Sequence, residues 1–238
     1  MSARLVRQIA TRHPTGLAPK IVLMPSDRFT PHEELARVLL PANGDFDDGS
    51  HDLSHLTRVW KNARTIHAEE GGDLELIAAA VLLHDCVQIA KDSPERANAS
   101  RLAAQKARQL LASLGWVSDR IDTVAEAIES HSFSAGLQPA SLEGRILQDA
   151  DRLDAIGFTG IARCFYTAGR MGSSLYHPLD PHGETRPLND SAFALDHFPK
   201  KLLRLSNGFQ TETGRRLAHE RERALQAFYD GMLSEISE

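Results

Sequence analysis

The side chains of this sequence best suited to chemistry are imidazoles and carboxylates set beside apolar stretches. His51 and His55 stand one helical turn apart, His84 and Asp85 are adjacent at the end of "AAAVLLHD", and Asp149, Asp151 and Asp154 fall within "QDADRLDAIG". Driving an imidazole and a carboxylate into the end of the most apolar segment is unfavourable unless both are paired. Each group alone has an ordinary explanation: a hydrogen-bonded core histidine, a chance i, i+4 pair, a solvated acidic face. Together, neutral imidazoles and carboxylates compose a mixed nitrogen and oxygen ligand set suited to a divalent metal. Such an ion offsets the cost of burial and keeps Asp85 ionised in an apolar setting.

Elements able to position these groups are legible as helices. Leu53, Leu56, Val59, Trp60, Ala63 and Ile66 recur at helical spacing until Gly71 and Gly72 stop the pattern, and Asp73 is placed to cap the next helix. Leu74 to Leu83 is apolar around its whole circumference, the mark of a helix enclosed by others. Ser93-Pro94 opens a helix running to about Leu114; Ile121, Val124, Ala125 and Ile128 define another, Ile146, Leu147, Ala150 and Leu153 a further one, and about Thr213 to Leu233 a long terminal one. No alternating strand pattern competes, so the fold class is all-α: a helical bundle around a central buried helix that carries the His-Asp pair.

Two stretches depart from this pattern. Residues 1–47 contain Pro14, Pro19, Pro25, Pro31 and Pro41 and end in "NGDFDDG", which reads as an N-terminal arm, extended or loosely packed apart from a short helix at 32–40. Residues 48–238 are then the helical domain. Residues 172–192 form a loop of a length that usually has a function.

Composition narrows the classes further. At 238 residues, 42% hydrophobic and 25% charged, the chain reads as an ordinary globular protein. The longest apolar run, broken by Glu75, is far short of the roughly 20 residues that span a bilayer. The N-terminus carries no secretory pattern, so a cytoplasmic location is expected, without membrane association. A net charge of −5 gives no electrostatic reason to bind nucleic acid, although a local basic pocket could hold a small phosphate compound. Cys86 and Cys164 read as small buried hydrophobes.

In order, His55 in "HLTRV", His84-Asp85 in "LLHD" and Asp151 in "DADRL" resemble the H…HD…D signature of the HD-superfamily metal-dependent phosphohydrolases. "HDLSHLTRVW", "HDCVQIAKDSPERANAS", "ESHSFSA", "QDADRLDAIGFTGIAR" and "ALDHFPKKLLRL" are similar, block by block over roughly residues 50–235, to the YedJ/YpgQ-type bacterial branch. This resemblance implies His55, His84, Asp85 and Asp151 as metal ligands, with His51 beside them and Asp149 a weaker candidate than Asp151. Asp154 is expected either at the surface or supporting a ligand. The signature lacks the extra paired histidines of two-metal branches, which implies one divalent ion, with Mn, Mg, Fe, Co, Ni and Zn all open.

The implied activity is hydrolysis of a small phosphorylated substrate, a nucleotide cleaved at a phosphoanhydride bond. Phosphomonoester or phosphodiester cleavage and a non-catalytic nucleotide- or metal-binding sensor are the alternatives. An ion with open positions lowers the pKa of bound water and polarises the P–O bond, so no protein nucleophile is needed. Arg58, Lys91 and Arg96 lie in the metal-bearing motifs and are candidate phosphate contacts, Lys91 foremost because it resembles the family's lysine; solvent-facing charge remains open for Arg58 and Arg96. One turn beyond Asp85, where some HD phosphatases carry a carboxylate, stands Gln88, which cannot titrate. His131 in "ESHSFSA" is therefore the candidate general acid. His197 and Lys201 in "DHFPKKLL" resemble the branch's C-terminal element and are expected, with the 172–192 loop, to line the site.

Overall fold

Four helices start on side chains that accept the free amides of a first turn. Asp52 accepts from the amide of His55 and opens α2 (Leu53–Glu70). Asp73 accepts from Glu75 and Leu76 and opens α3 (Leu74–Leu83). Ser141 does the same for α6 (Leu142–Asp154), and Thr211 for α9 (Glu212–Ile236). The remaining helices of this computed structural model are α1 (Glu33–Leu39), α4 (Ala99–Ser113), α5 (Ser118–Ser130), α7 (Gly157–Met171) and the single-turn α8 (His197–Lys200). The structure describes residues 24–44, 52–87, 89, 95, 98–132 and 136–237. His51, Gln88, Lys91 and Arg96 lie outside the described residues.

The all-α expectation holds. Among the described residues there is no strand, only an isolated bridge between Ser174 and Phe193. α3 is the enclosed helix: Ile77 to Leu83 are completely buried, and α1, α2, α4, α5 and α6 all pack on it. α2 packs along α6, α4 along α5, and α7 along α9, so three helix pairs surround or extend the central rod. No helix among the described residues is long and apolar enough to cross a membrane.

Three features differ from the sequence pattern. The Pro-rich segment folds over its second half: Phe29, Ala36 and Leu39 are completely buried in the common core, and Phe29 and His32 both pack on Trp60. Its apolar residues are few, but they are spaced to meet α2 and α3. α4 begins at Ala99, and residues 93 and 94, read as its opening, lie outside the described residues. α7 has no clear apolar period in the sequence, because its buried face is made largely of small residues, Gly157, Gly160 and Ala168, while Phe158 and Tyr166 are exposed. Those small residues have a purpose. Gly157 turns the chain at φ +70°, and a Cβ on Gly160 would meet the carbonyl oxygen of Ala155 at 2.3 Å, so α7 lies close against the end of α6.

The 172–192 loop is braced rather than open. Arg186 binds Asp196 through both Nη atoms, at 2.5 and 2.7 Å, and stacks over Phe193, while Asp180 accepts the amides of Glu184 and Thr185.

Candidate metal centre

The end of a helix leaves its last carbonyls without amide partners. At the end of α3 each finds another donor: Leu83 O accepts from the Cys86 amide, Leu82 O from Asn43 Nδ2 at 2.9 Å, and Val81 O from His84 Nδ1 at 2.9 Å. The last of these folds the His84 ring back on its own helix and turns Nε2 outward. α5 repeats the device, with His131 Nδ1 donating to Ile128 O at 2.6 Å. Packing of α3 on α5 brings the two rings edge to face, 4.9 Å between centroids. Two helix C-termini therefore meet at one place, and their partial negative charge favours a cation there.

Asn43 and Lys106 brace this turn. Asn43 is buried and joins Leu40 O to Leu82 O, and Lys106 Nζ donates to both Ala42 O and Cys86 O. Asn43→Ala would leave Leu82 O without this donor in a buried setting, and the expected loss is about 1–3 kcal/mol. The measurement is a urea transition whose midpoint falls with the slope unchanged; an unshifted midpoint would remove Asn43 from the support of the His84 turn.

α2 and α6 complete the cluster. His55, in the first turn of α2, is 1% exposed and gives Nδ1 to Asp154 Oδ2 at 2.8 Å. Its Nε2 lies 3.3 Å from His84 Nε2, 3.5 Å from Asp85 Oδ2 and 3.6 Å from Asp151 Oδ1. His84 Nε2 is 3.5 Å from Asp85 Oδ2 and 3.9 Å from Asp151 Oδ1. His131 Nε2 approaches the other oxygen of Asp85 at 4.0 Å. The four residues implied as ligands thus converge, with His131 at their edge, although 96 residues of chain separate the first and last of the four. The imidazoles are buried, while the side chains of Asp85 and Asp151 retain 30% and 27% exposure, which leaves one side of the cluster open to a solute.

The electrostatics ask for a positive charge at the centre. Each imidazole keeps its Nδ1 on an acceptor, so two Nε2 atoms and two carboxylates face one another. In the metal-free chain a proton on His55 supplies that charge. Burial opposes it, but hydrogen bonds to Asp154 and Asp85 and the charges of Asp151 and Asp85 raise His55 to about 9. His84 goes down, chiefly through burial, against the pull of Asp85. Asp85 resists ionisation through burial, yet His84, His55 and His131 hold it well below the usual carboxylate range. A divalent ion supplies more charge at the same point and displaces the proton. Neutral imidazoles with anchored Nδ1 atoms and two carboxylates are the donor set a divalent metal takes, and His55, His84 and Asp151 lie close enough together to hold one.

Other predicted groups take definite places. Asp149 is buried and accepts Gln210 N, Thr211 N and Thr211 Oγ1 at 2.7–2.8 Å, so it holds the entry to α9; burial raises its pKa against those bonds. Asp154 is 1% exposed, which excludes a surface role; burial resists its charge, but His55, Arg58 and Arg163 lower its pKa. Arg58 lies on Asp154 through Nε and Nη2, with Nη1 on Ser54 Oγ. His197 Nδ1 meets Asp190 at 3.0 Å, beside the Lys200–Asp190 pair, and belongs to neither of the His/Asp groups that lie close enough to hold an ion among the described residues. Cys86 and Cys164 are pushed up to about 11 by burial and stay protonated thiols. Sequence reasoning missed Arg163 and Asn43. The only local signal for Arg163 was its place in the matched "GFTGIAR" block.

An all-helical bundle that gathers an H…HD…D set at one point has the fold of the HD-superfamily hydrolases, a class that binds divalent metals. The family model of the HD domain matches residues 52–156, from the cap of α2 to the turn after α6, which contain every residue of the cluster. The chain belongs to the HD-domain family. It is 35% identical over 186 residues to YpgQ of Bacillus subtilis (strain 168), covering 76% of this chain and 82% of that one. The crystal structure of Bacillus subtilis YpgQ in complex with ADP superposes with a TM-score of 0.64 at 31% identity, over 84% of this chain and 97% of that chain. A crystal structure of an HD-superfamily hydrolase from Bacillus thuringiensis gives 0.66 at 30% identity, over 86% and 97%.

Proposed function

We propose that this chain is a metal-dependent phosphohydrolase that cleaves a phosphoanhydride bond of a nucleotide. The observation that carries this is the convergence of His55, His84, Asp85 and Asp151 from three helix segments, with each imidazole anchored through Nδ1. The nucleotide bound by the similar YpgQ supports the substrate class. A divalent ion held by these four residues supplies Lewis acidity at a phosphoryl oxygen and a lowered pKa for water.

The chain's own side chains do the rest. His131, its Nδ1 being committed to Ile128 O, presents Nε2 to the leaving oxygen and acts there as the general acid. Arg58 and Arg163 offset the charge of Asp154, and a divalent ion at the centre would add the positive charge that favours an anionic substrate. Lys91 and Arg96 contact phosphate oxygens, and His197 with Lys201 contact the distal part of the substrate. Lys91→Ala is expected to lower kcat/KM by roughly tenfold or more while metal content stays at the wild-type value, because an ammonium on a flexible stem grips oxygens without ligating the ion. Unchanged kcat/KM would return Lys91 to the solvated surface.

Incubating a panel of nucleoside mono-, di- and triphosphates with several divalent ions, and separating the products, tests the function. Pyrophosphate or orthophosphate released from di- and triphosphates supports anhydride cleavage. Activity on monophosphates alone would make the chain a phosphomonoesterase, and nucleotide binding without turnover would make it a sensor.

A further inference from the structure

Asp154 closes α6 with no exposure to speak of, and its partners on the side chain are all donors. Oδ2 accepts from His55 Nδ1 at 2.8 Å, Arg163 Nη1 at 2.9 Å and Arg58 Nη2 at 3.1 Å, and Oδ1 accepts from Arg58 Nε at 2.6 Å. Two guanidiniums, one from α2 and one from α7, therefore hold one carboxylate against one imidazole. That is more positive charge than burial of a single carboxylate requires. Asp149, five residues earlier on the same helix, is buried with hydrogen bonds from hydroxyl and backbone donors and the charge of Arg152 nearby, without a forked guanidinium on its oxygens among the hydrogen bonds described. The extra clamp has a geometric result. A carboxylate fixed in plane by a forked guanidinium cannot turn away from the ring, and it remains an ionised acceptor. The imidazole must then keep its proton on Nδ1 and direct the Nε2 lone pair into the cluster.

We infer that Asp154, locked by Arg58 and Arg163, is a positioning residue that fixes the tautomer and ring plane of His55 and so sets the chain's affinity for a divalent metal. This rests on His55 being a metal ligand, as proposed above. It assigns the acidic motif three separate tasks: Asp149 holds the start of α9, Asp151 joins the cluster, and Asp154 orients a ligand from α2. It also accounts for the close α6–α7 joint at Gly157 and Gly160, since that joint brings Arg163 within reach of Asp154.

The test is metal affinity, with chelator-stripped protein titrated with Mn²⁺, Co²⁺ and Zn²⁺ alone and the thermal midpoint of each metal-free variant recorded beside it. Asp154→Asn is expected to weaken binding about 10- to 100-fold, the range for losing a partner of a ligating histidine. Asp149→Asn serves as the structural control: it should lower the midpoint and leave affinity within about twofold of the wild type. Because Asp154 acts through His55, the double variant His55→Ala/Asp154→Asn should bind no more weakly than His55→Ala. Should Asp154→Asn fail to fold, Arg163→Met reports on the clamp, with affinity several-fold weaker. Wild-type affinity in Asp154→Asn or in Arg163→Met would overturn the inference, as would an Asp154 effect that persists in full without His55. Absence of binding by the wild type would instead overturn the metal-centre reading, and this inference with it.

Discussion

Alanine at His84 or Asp151 is expected to strip the protein of its metal and to reduce nucleotide hydrolysis to background. Wild-type protein purified without chelator should carry about one divalent ion per chain, because the proposed function has these four side chains hold one ion together. Losing one imidazole or one carboxylate removes a quarter of the protein donors. In the His84 variant it also leaves Val81 O without its partner at the end of α3. Elemental analysis and turnover measured on the same preparations decide the matter: full metal content in both variants would remove the ligand assignment. Chelation of the wild type should also lower the thermal midpoint, since an ion that binds only the folded chain stabilises it by mass action. Without the ion, a proton on His55, held there against burial by Asp154 and Asp85, supplies positive charge among the converging nitrogens and carboxylates.

Much of this centre was legible in the sequence because its parts sit at boundaries the sequence marks. His84 and Asp85 end a segment apolar on every side, and Asp73 announces the helix that carries them. His131 could have been read more sharply. Both "VLLH" and "IESH" place a histidine directly after the last helical residue, where its Nδ1 can return to the carbonyl three residues back. What could not be read are pairings across long stretches of chain. Arg58 meets Asp154 over 96 residues, and no periodicity within either helix announces it. The contribution of residues 24–44 was hidden for a related reason. Pro25, Pro31 and Pro41 interrupt their apolar pattern, whereas their role depends on four buried apolar side chains, Phe29, Ala36, Leu39 and Leu40, and on Asn43 reaching a carbonyl 39 residues away. α7 was obscured by the small residues that let it lie close to α6.

His131→Ala should separate chemistry from metal binding. The ring stands at the edge of the cluster, 4.0 Å from Asp85 through Nε2, and its other nitrogen is committed to Ile128 O, so Nε2 alone can exchange a proton with a substrate. If that proton goes to the leaving oxygen, the variant should keep its metal and most of its substrate affinity, yet lose roughly 100- to 10,000-fold in kcat, the usual contribution of a general acid. The dependence on the leaving group distinguishes this role from its neighbours. A nucleotide whose departing group needs protonation should suffer the full loss, whereas p-nitrophenyl phosphate, whose departing phenolate is stable without a proton, should suffer far less. An equal loss on both substrates would assign His131 to positioning of the phosphate or the ion. A wild-type rate on nucleotides would leave the edge-to-face packing of His131 on His84 as its whole contribution, and the proton would have to reach the leaving group from solvent.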